Sequence, residues 1–244
     1  MYLRLLLLVT MILPAAAGNQ LDEILANHYR ARGGLDRLRG MEALTVRGTA
    51  TWREEKTGFS IQVSRGWCRF ELQMAGTTVI KIFDKQRGWQ INPVLGTREP
   101  KPMNAEDLNA MVGFLDLASP LVDWQAKGHR LSYLGSKQFD GHQVHEIQVV
   151  QARGGTTVYV LDGETYLARA VREDGLERRV LRHLQADGLT FVGAFAMSKP
   201  CDHPRHQHGE CGLAKVIEIQ EIRVNPDLEP DLFDIEMAYL QEGQ

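Results

Sequence analysis

The segment from Cys201 to Cys211 holds the residues best suited to chemistry, because two cysteines and three histidines lie close together between two strand-like segments. Imidazole and thiolate groups suit zinc or copper, although the order of these ligands matches no standard zinc motif. In an oxidising compartment the cysteines would instead form a disulfide at the tip of a hairpin, and this interpretation is favoured. The two are partly exclusive, since bridged cysteines cannot bind metal as thiolates. The metal-ligand candidates are His203, His206 and His208.

Elsewhere the sequence shows no arrangement of residues that would carry catalysis. Gly-x-Ser-x-Gly, a Walker loop, a dinucleotide glycine signature and His-Glu-x-x-His are all absent. His142 and His145 lie in a strand pattern, where their spacing places them on opposite faces and argues against a shared metal site. We therefore predict a protein that is not an enzyme, with no catalytic residues and no cofactor apart from the metal alternative at 201–211.

The N-terminus predicts export. Residues 1–17 have the pattern of a secretory signal peptide, with Arg4 before an apolar core and small residues around a cleavage point after Ala17. The remaining residues, 18–244, have a length typical of a single domain with a substantial core. The formal net charge of -3 gives no reason to expect nucleic acid. No other apolar run is long enough to span a bilayer.

The stretch from Asn104 to Leu121 differs from its surroundings, because its apolar residues follow a helical rather than a strand period. They fall at i, i+3, i+4 and i+7, which predicts an amphipathic helix with Asn104 as its N-cap. One apolar helix in an otherwise β-rich chain suggests a lid laid over a sheet. The residues of this stripe are Leu108, Met111, Val112 and Leu115.

Most of the remaining chain has strand character. Phe59, Ile61 and Val63 alternate with polar residues and so share one face of a strand. Turn dipeptides such as Asp174-Gly175 and Asp187-Gly188 separate successive strand segments, which predicts an antiparallel meander of ten or more strands that must curl. The proline-rich residues 93–102 are predicted to be a loop, and helices are predicted at Gln20 to Arg32 and Leu35 to Arg39.

Several short stretches are weak singly but specific in their order and spacing. They are Leu21-Asp22-Glu23-Ile24-Leu25, Ala31-Arg32-Gly33-Gly34-Leu35, Gly88-Trp89-Gln90-Ile91-Asn92-Pro93, Pro120-Leu121-Val122-Asp123-Trp124, Lys127-Gly128-His129, Tyr159-Val160-Leu161-Asp162, Thr165-Tyr166-Leu167 with Arg169, Val224-Asn225-Pro226-Asp227 and Leu232-Phe233. Through them the chain resembles the LolA-like superfamily, the periplasmic outer-membrane lipoprotein-sorting proteins of Gram-negative bacteria. The resemblance covers nearly the whole of residues 18–244.

The resemblance implies a mainly β, open and strongly curved antiparallel β-barrel or half-barrel, with a helical lid and an N-terminal helix. It also implies a periplasmic location and an apolar cavity for lipid acyl chains or lipoproteins, handed over by envelope protein partners. The alternatives are an envelope sensor or regulatory module of the same fold, and a metal- or redox-linked protein that uses residues 201–211. The expected cavity and lid residues are Leu108, Met111, Val112, Leu115, Phe59, Ile61 and Val63.

Overall fold

A single antiparallel sheet of thirteen strands forms the body of the computed structural model, which describes residues 15–200 and 210–242. Alternating apolar residues and tight turns produce this meander, as predicted from the sequence. The strands are β1 (Ala43–Trp52), β2 (Glu55–Ser64), β3 (Trp67–Met74), β4 (Thr77–Phe83), β5 (Gly88–Asn92), β6 (Thr97–Pro102), β7 (Arg130–Phe139), β8 (His142–Val150), β9 (Thr156–Asp162), β10 (Ala168–Glu173), β11 (Leu176–Ala186), β12 (Leu189–Pro200) and β13 (Glu210–Val224).

The order of strands across the sheet is β6-β5-β4-β3-β2-β1-β13-β12-β11-β10-β9-β8-β7. β6 and β7 are therefore the two edges, although they follow one another in the chain. Their connection, residues 103–129, has to cross the sheet to join them. The sheet is curved and open, which confirms the predicted half-barrel architecture.

Four α-helices accompany the sheet: α1 (Ala15–Ala31), α2 (Leu35–Arg39), α3 (Ala105–Met111) and α4 (Ile235–Glu242). α1 begins before the predicted Gln20 and ends one residue before the predicted Arg32. Gly33 and Gly34 follow it with φ angles of 110° and 105°, which favour glycine. A Cβ at Gly33 would lie 2.2 Å from the carbonyl oxygen of Gly188. This close approach fixes the α1–α2 corner against the β11–β12 turn. None of the described helices is long and apolar enough to cross a bilayer.

Both faces of the sheet are covered in part. On the face that we call inner, Ile24 and Leu25 of α1 pack with Leu121 and Ile147. On the outer face, α4 packs its Ala238 against β4 and β5. Strand β4 therefore buries residues on both sides, which explains why its sequence is an almost continuous apolar run. The outer-face residues of this cluster are Ile80, Ile82 and Ile91.

Two predictions about the 93–121 region are wrong. Residues 97–102 form the edge strand β6 rather than a loop. Proline has no backbone N–H to donate, and an edge strand tolerates this because one of its sides has no neighbouring strand. The predicted helix from Asn104 to Leu121 ends much earlier: α3 stops at Met111, and a 3₁₀ turn covers Val112–Leu115. The later apolar residues pack into other clusters, so the chain has to turn away from the helix axis.

Candidate functional site

The lid segment, residues 104–115, begins with the cap predicted from the sequence. The side-chain oxygen of Asn104 accepts a hydrogen bond from the backbone N–H of Asp107 at 2.8 Å. The carboxylate of Asp107 accepts from the side-chain amide of Asn104 at 3.0 Å, and not from its backbone as in a full capping box. The helix that follows is only seven residues long and contains no fully buried residue. The lid segment is thus a small element that rests on the sheet.

Beneath the lid segment lies an apolar cluster whose buried members are Val63, Cys68 and Phe83. Side chains of the lid segment pack against β2, β3 and β4, at the place where the apolar cavity was expected. The residues of the lid and of β2 that meet in this under-lid cluster include five of the seven predicted from the sequence: Ile61, Val63, Leu108, Met111 and Leu115.

The wall of the under-lid cluster is chemically inert. Burial raises the pKa of the Cys68 thiol to about 12, so the sulfur stays protonated at neutral pH. The rings of Phe70 on β3 and Phe114 on the lid stack with their centroids 6.3 Å apart. Phe114 remains 41% exposed, so this stack forms the outer rim of the lid. Apolar contact is therefore what holds the lid segment to the sheet.

The two remaining predicted residues lie outside this cluster. Val112 is half-buried in the 3₁₀ turn, and Phe59 lies beyond the lid. Gly48 makes room for the Phe59 ring, since a Cβ there would lie 2.7 Å from it. Gly48 faces both Phe59 on β2 and Ile219 on β13.

Beyond the lid the inner face continues as a half-buried apolar surface, here called the inner trough. Directly opposed residues of antiparallel strands share a face of the sheet. Phe59, Ile61 and Val63 are two residues apart along β2, so Phe59 lies on the same face as these two members of the under-lid cluster. The trough therefore continues the surface on which the lid rests. Its residues, all half-buried, are Phe59, Phe195, Ile217 and Ile219.

A cleft of about 460 Å³ borders the under-lid cluster on its other side. Val63, Leu115 and Leu117 supply an apolar wall that belongs to the under-lid cluster. Asp116 and Lys127 line the same cleft with charge. The cleft is thus amphipathic, with the apolar wall close to the lid.

The residues that follow the lid, 116–129, are held by hydrogen bonds to their backbone and are here called the anchor segment. Arg32 donates to the carbonyl oxygen of Ala118 at 2.9 Å, and the Tyr29 hydroxyl donates to that of Leu121 at 2.6 Å. Lys127 donates to Asp116 at 2.6 Å within the segment itself. Helix α1 therefore fixes the path of the anchor segment across the sheet.

Burial shapes the charges around the anchor segment. It lowers the pKa of Arg32, although the guanidinium stays protonated at neutral pH. It also raises the pKa of Tyr159 to about 12, so that its phenol is neutral when it hydrogen-bonds to Ser119. Arg39 and Asp123 form an exposed ion pair at 2.5 Å on the rim of the cleft.

Helix α1 is itself fixed by a buried histidine. The Nδ1 atom of His28 lies 2.8 Å from the carbonyl oxygen of Tyr166, and the side chain is almost wholly buried. Burial lowers the pKa of His28 to about 4, so the neutral tautomer donates this hydrogen bond at pH 7.

Sequence patterns did not identify the polar residues of this site. Arg32 lies 86 positions from Ala118, and no spacing rule relates them. Leu21, Ile24 and Leu25 showed only that α1 packs on a sheet. The one available signal was the sequence Ala31-Arg32-Gly33-Gly34, in which a charged residue directly precedes the end of a helix. This pattern does not identify the residue to which Arg32 forms its hydrogen bond.

The segment from Cys201 to Cys211, predicted to hold a disulfide or a metal site, lies mostly outside the described residues. Cys201, His203, His206 and His208 lie outside the described residues, while Cys211 lies in β13 opposite Lys199. The disulfide and the metal site therefore stay predictions. Within the described part of the chain, no group of three His, Cys, Asp or Glu residues could hold a metal ion. The signal peptide prediction likewise falls almost wholly on residues that the structure does not describe.

Similarity to known proteins lies in the fold rather than the sequence. No protein-family model matches the chain, and no curated protein matches it. A DUF1329 family protein from Desulfovibrio piger is 11% identical, with a TM-score of 0.58, over 88% of this chain and 97% of that one. An outer-membrane lipoprotein-sorting protein domain from Vibrio parahaemolyticus is 14% identical, with a TM-score of 0.58, over 91% and 99%.

A LolA superfamily protein from Nitrosomonas europaea is also similar in structure. It is 10% identical, with a TM-score of 0.55, over 87% of this chain and 96% of that one. These matches span nearly the full length of each protein, so the likeness concerns the whole architecture. The resemblance inferred from the sequence is thereby confirmed for the fold, and the chain has the fold of the LolA superfamily.

Proposed function

We propose that this protein binds lipid acyl chains, either free or attached to lipoproteins, on the inner face of its sheet, in the periplasm. One observation carries the proposal: an apolar surface runs without interruption from the under-lid cluster into the inner trough. The lid segment covers one end of that surface, and the other end is only half-buried. An elongated apolar ligand matches this shape better than a compact one.

The energetics favour such a ligand. Each methylene group moved from water onto an apolar surface contributes about 0.8 kcal/mol, so a long chain binds tightly without directed polar contacts. The lid segment has few buried groups, and short elements of this kind open at low free-energy cost. An acyl chain could take the place of Leu108 and Met111 against Val63 and Phe83 when the lid moves away.

The similar structures give the proposal further support. One of them is described as an outer-membrane lipoprotein-sorting domain, and the present chain shares its architecture over almost the full length of both. Because one fold can serve many functions, this likeness supports a binding role and leaves the ligand to be determined. In this role the protein carries a ligand and performs no chemistry on it.

The test is ligand binding by variants of the two parts of the apolar surface. Met111→Glu places a charge in the under-lid cluster, and Ile217→Gln places a polar group in the inner trough. We expect each to weaken binding of a fluorescent fatty acid about tenfold, which corresponds to about 1.4 kcal/mol. Leu95→Glu is the matched control, because Leu95 is 77% exposed and lies after β5.

Native mass spectrometry of protein purified without detergent provides an independent measurement. Additional mass that matches a phospholipid or an acylated peptide would support the proposal and name the ligand class. Circular dichroism should first show that the variants are folded. Unchanged affinity in folded Met111→Glu and Ile217→Gln proteins would contradict binding on this surface.

A further inference from the structure

The two edges of the sheet are protected to different degrees. β6 is six residues long, contains Pro100 and Pro102, and has helix α4 beside it. β7 is ten residues long, contains no proline and pairs with β8 along its whole length, from Arg130 to Phe139. An unpaired edge strand offers a row of backbone N–H and C=O groups to any strand that can approach it. β7 is therefore the edge at which another strand could be added.

The outer side of β7 has no backbone partner within residues 15–200 and 210–242. Its ladder hydrogen bonds go to β8, and no other backbone–backbone hydrogen bond in the described part of the chain involves residues 130–139. Most of the side chains of β7 are exposed, and Leu134 is 42% exposed. Free hydrogen-bonding groups and exposed apolar surface thus lie together on one edge. Extended peptides that add a strand to a sheet use this combination.

A β-bulge determines which side chains of β7 share a face. The pairing with β8 shifts by one residue between Tyr133 and Gly135. This shift brings Arg130 and Lys137 to the same face, because their partners on β8 are an even number of positions apart. It is the outer face, since Leu131, the neighbour of Arg130, packs into the cluster beneath α1 on the inner face.

The charge that β7 presents on its outer face is positive. The strand contains no aspartate or glutamate. Arg130 is exposed and forms no ion pair with any residue that the structure describes. Lys137 bonds to Glu146, but the same carboxylate also pairs with Arg172, and the Lys137 side chain remains 54% exposed. A strand added to this edge would therefore meet two exposed cations of β7 and no carboxylate of β7.

We propose that β7 docks an extended segment of a partner protein as an additional strand, with acidic side chains on the outer face and apolar side chains on the inner face. The acidic side chains would lie beside Arg130 and Lys137, and the apolar ones beside Leu131 and Tyr133, which pack into the cluster beneath α1. Opposite charges on neighbouring strands stabilise their pairing, and like charges destabilise it. A second copy of β7 is disfavoured, because it would bring two more cations to the same face. This docking does not depend on the proposed binding of acyl chains.

The experiment measures the binding of two fluorescent peptides to the purified protein. Both have the length of β7; one alternates Glu with Val and the other alternates Lys with Val. We expect the acidic peptide to bind at least about tenfold more tightly than the basic one. Hydrogen exchange with the acidic peptide present should show new protection of amides in β7 and none in β6, because only the free edge gains backbone hydrogen bonds.

A charge reversal on each edge tests the selectivity. Arg130→Glu should weaken binding of the acidic peptide by about fivefold or more and strengthen binding of the basic peptide. Arg98→Glu is the matched control, because Arg98 is exposed on the other edge strand, β6, and the change in charge is the same. It should leave both affinities unchanged. Circular dichroism checks that both variants are folded.

Several results would overturn the inference. Equal affinity for the two peptides, no binding of either, or an unchanged preference in folded Arg130→Glu would show that this edge does not select acidic strands. Protection by the acidic peptide outside β7 would place its docking on another surface. A dimer in sedimentation experiments, with the amides of β7 protected in the absence of peptide, would identify a second copy of the chain as the occupant.

Discussion

The connection between the two edge strands consists of two segments that are held in opposite ways. The lid segment rests on the sheet through half-buried apolar side chains and contains no fully buried residue. The anchor segment buries Leu121 and Val122 almost completely, and its backbone accepts hydrogen bonds from Arg32 and Tyr29 on α1. Both segments belong to one stretch of fewer than thirty residues, yet only one of them is fixed by directed bonds.

This difference means that the contacts of the lid segment can be exchanged, whereas those of the anchor segment fix its position. Apolar contacts are non-directional, so a ligand's methylene groups can replace those of the lid without leaving a polar group unsatisfied. Hydrogen bonds to fixed donors allow no such exchange, because a displaced carbonyl would remain unpaired. The anchor segment therefore fixes the point on the sheet from which the lid segment extends. Three predictions test the distinction, beginning with the largest effect.

Truncation of one leucine in each segment should give very different losses of stability. Leu121→Ala removes a fully buried side chain from the cluster beneath α1 and should lower the free energy of unfolding by about 3 kcal/mol. Leu115→Ala removes a half-buried side chain of the lid and should cost about 1 kcal/mol. Urea unfolding of the two variants measures both values. Equal losses in the free energy of unfolding would show that the lid segment contributes as much to stability as the anchor segment.

The free energy of unfolding should also depend on pH through His28 of α1, the helix that holds the anchor segment. The folded protein holds its pKa at about 4 against an ordinary 6.5, so the unfolded chain binds more protons between these values. The stabilisation is complete above pH 6.5 and is lost as pH falls towards 4. From pH 7 to pH 5 we expect a loss of about 2 kcal/mol from this residue.

Urea unfolding at several pH values measures this contribution in His28→Gln against the wild-type protein. The variant should show a shallower decline in stability from pH 7 to pH 5. His142→Gln is the control, because His142 is exposed at the start of β8 and should leave the decline unchanged. A decline of the same steepness in His28→Gln would mean that α1 is not held by a neutral imidazole.

The smallest effect should come from the cap of the lid. Asn104→Ala removes the hydrogen bond to the backbone of Asp107 and should weaken the lid by about 1 kcal/mol. Hydrogen exchange should show lower protection of amides in α3 while those of the anchor segment keep theirs. The same loss of protection in both segments would show that they open together, and the contrast between them would be wrong.

Sequence patterns predicted the sheet well and the crossing segment poorly. Phe59, Ile61 and Val63 lie on one strand, β2, and the strands form the predicted meander, since period-two patterns and turn residues are local signals. The helix beginning at Asn104 has the predicted start, because a cap is local too. Its end was wrong, since Leu117 and Leu121 pack into clusters made by distant strands.

The candidate site likewise has a part that could be predicted from the sequence and a part that could not. Its apolar half could be predicted, because Leu108, Met111 and Leu115 share a helical face and Ile61 and Val63 share a strand face. Its polar half could not, because Arg32 meets the anchor segment only through the folded sheet. Helix α4 was also missed, as it is short and has little amphipathic pattern to detect.

The order of the strands has a consequence for how this protein reaches its folded state. Among the described strands, every pair of neighbours is adjacent in the chain except β1 and β13, where Leu44 faces Val224. Two meanders can therefore form early from local contacts, and the central seam between them has to form late, across a large loop. Until β13 has been synthesised, β1 remains an unpaired edge of the first meander. Loss of the C-terminal strand would divide the sheet at its centre instead of shortening it at one side.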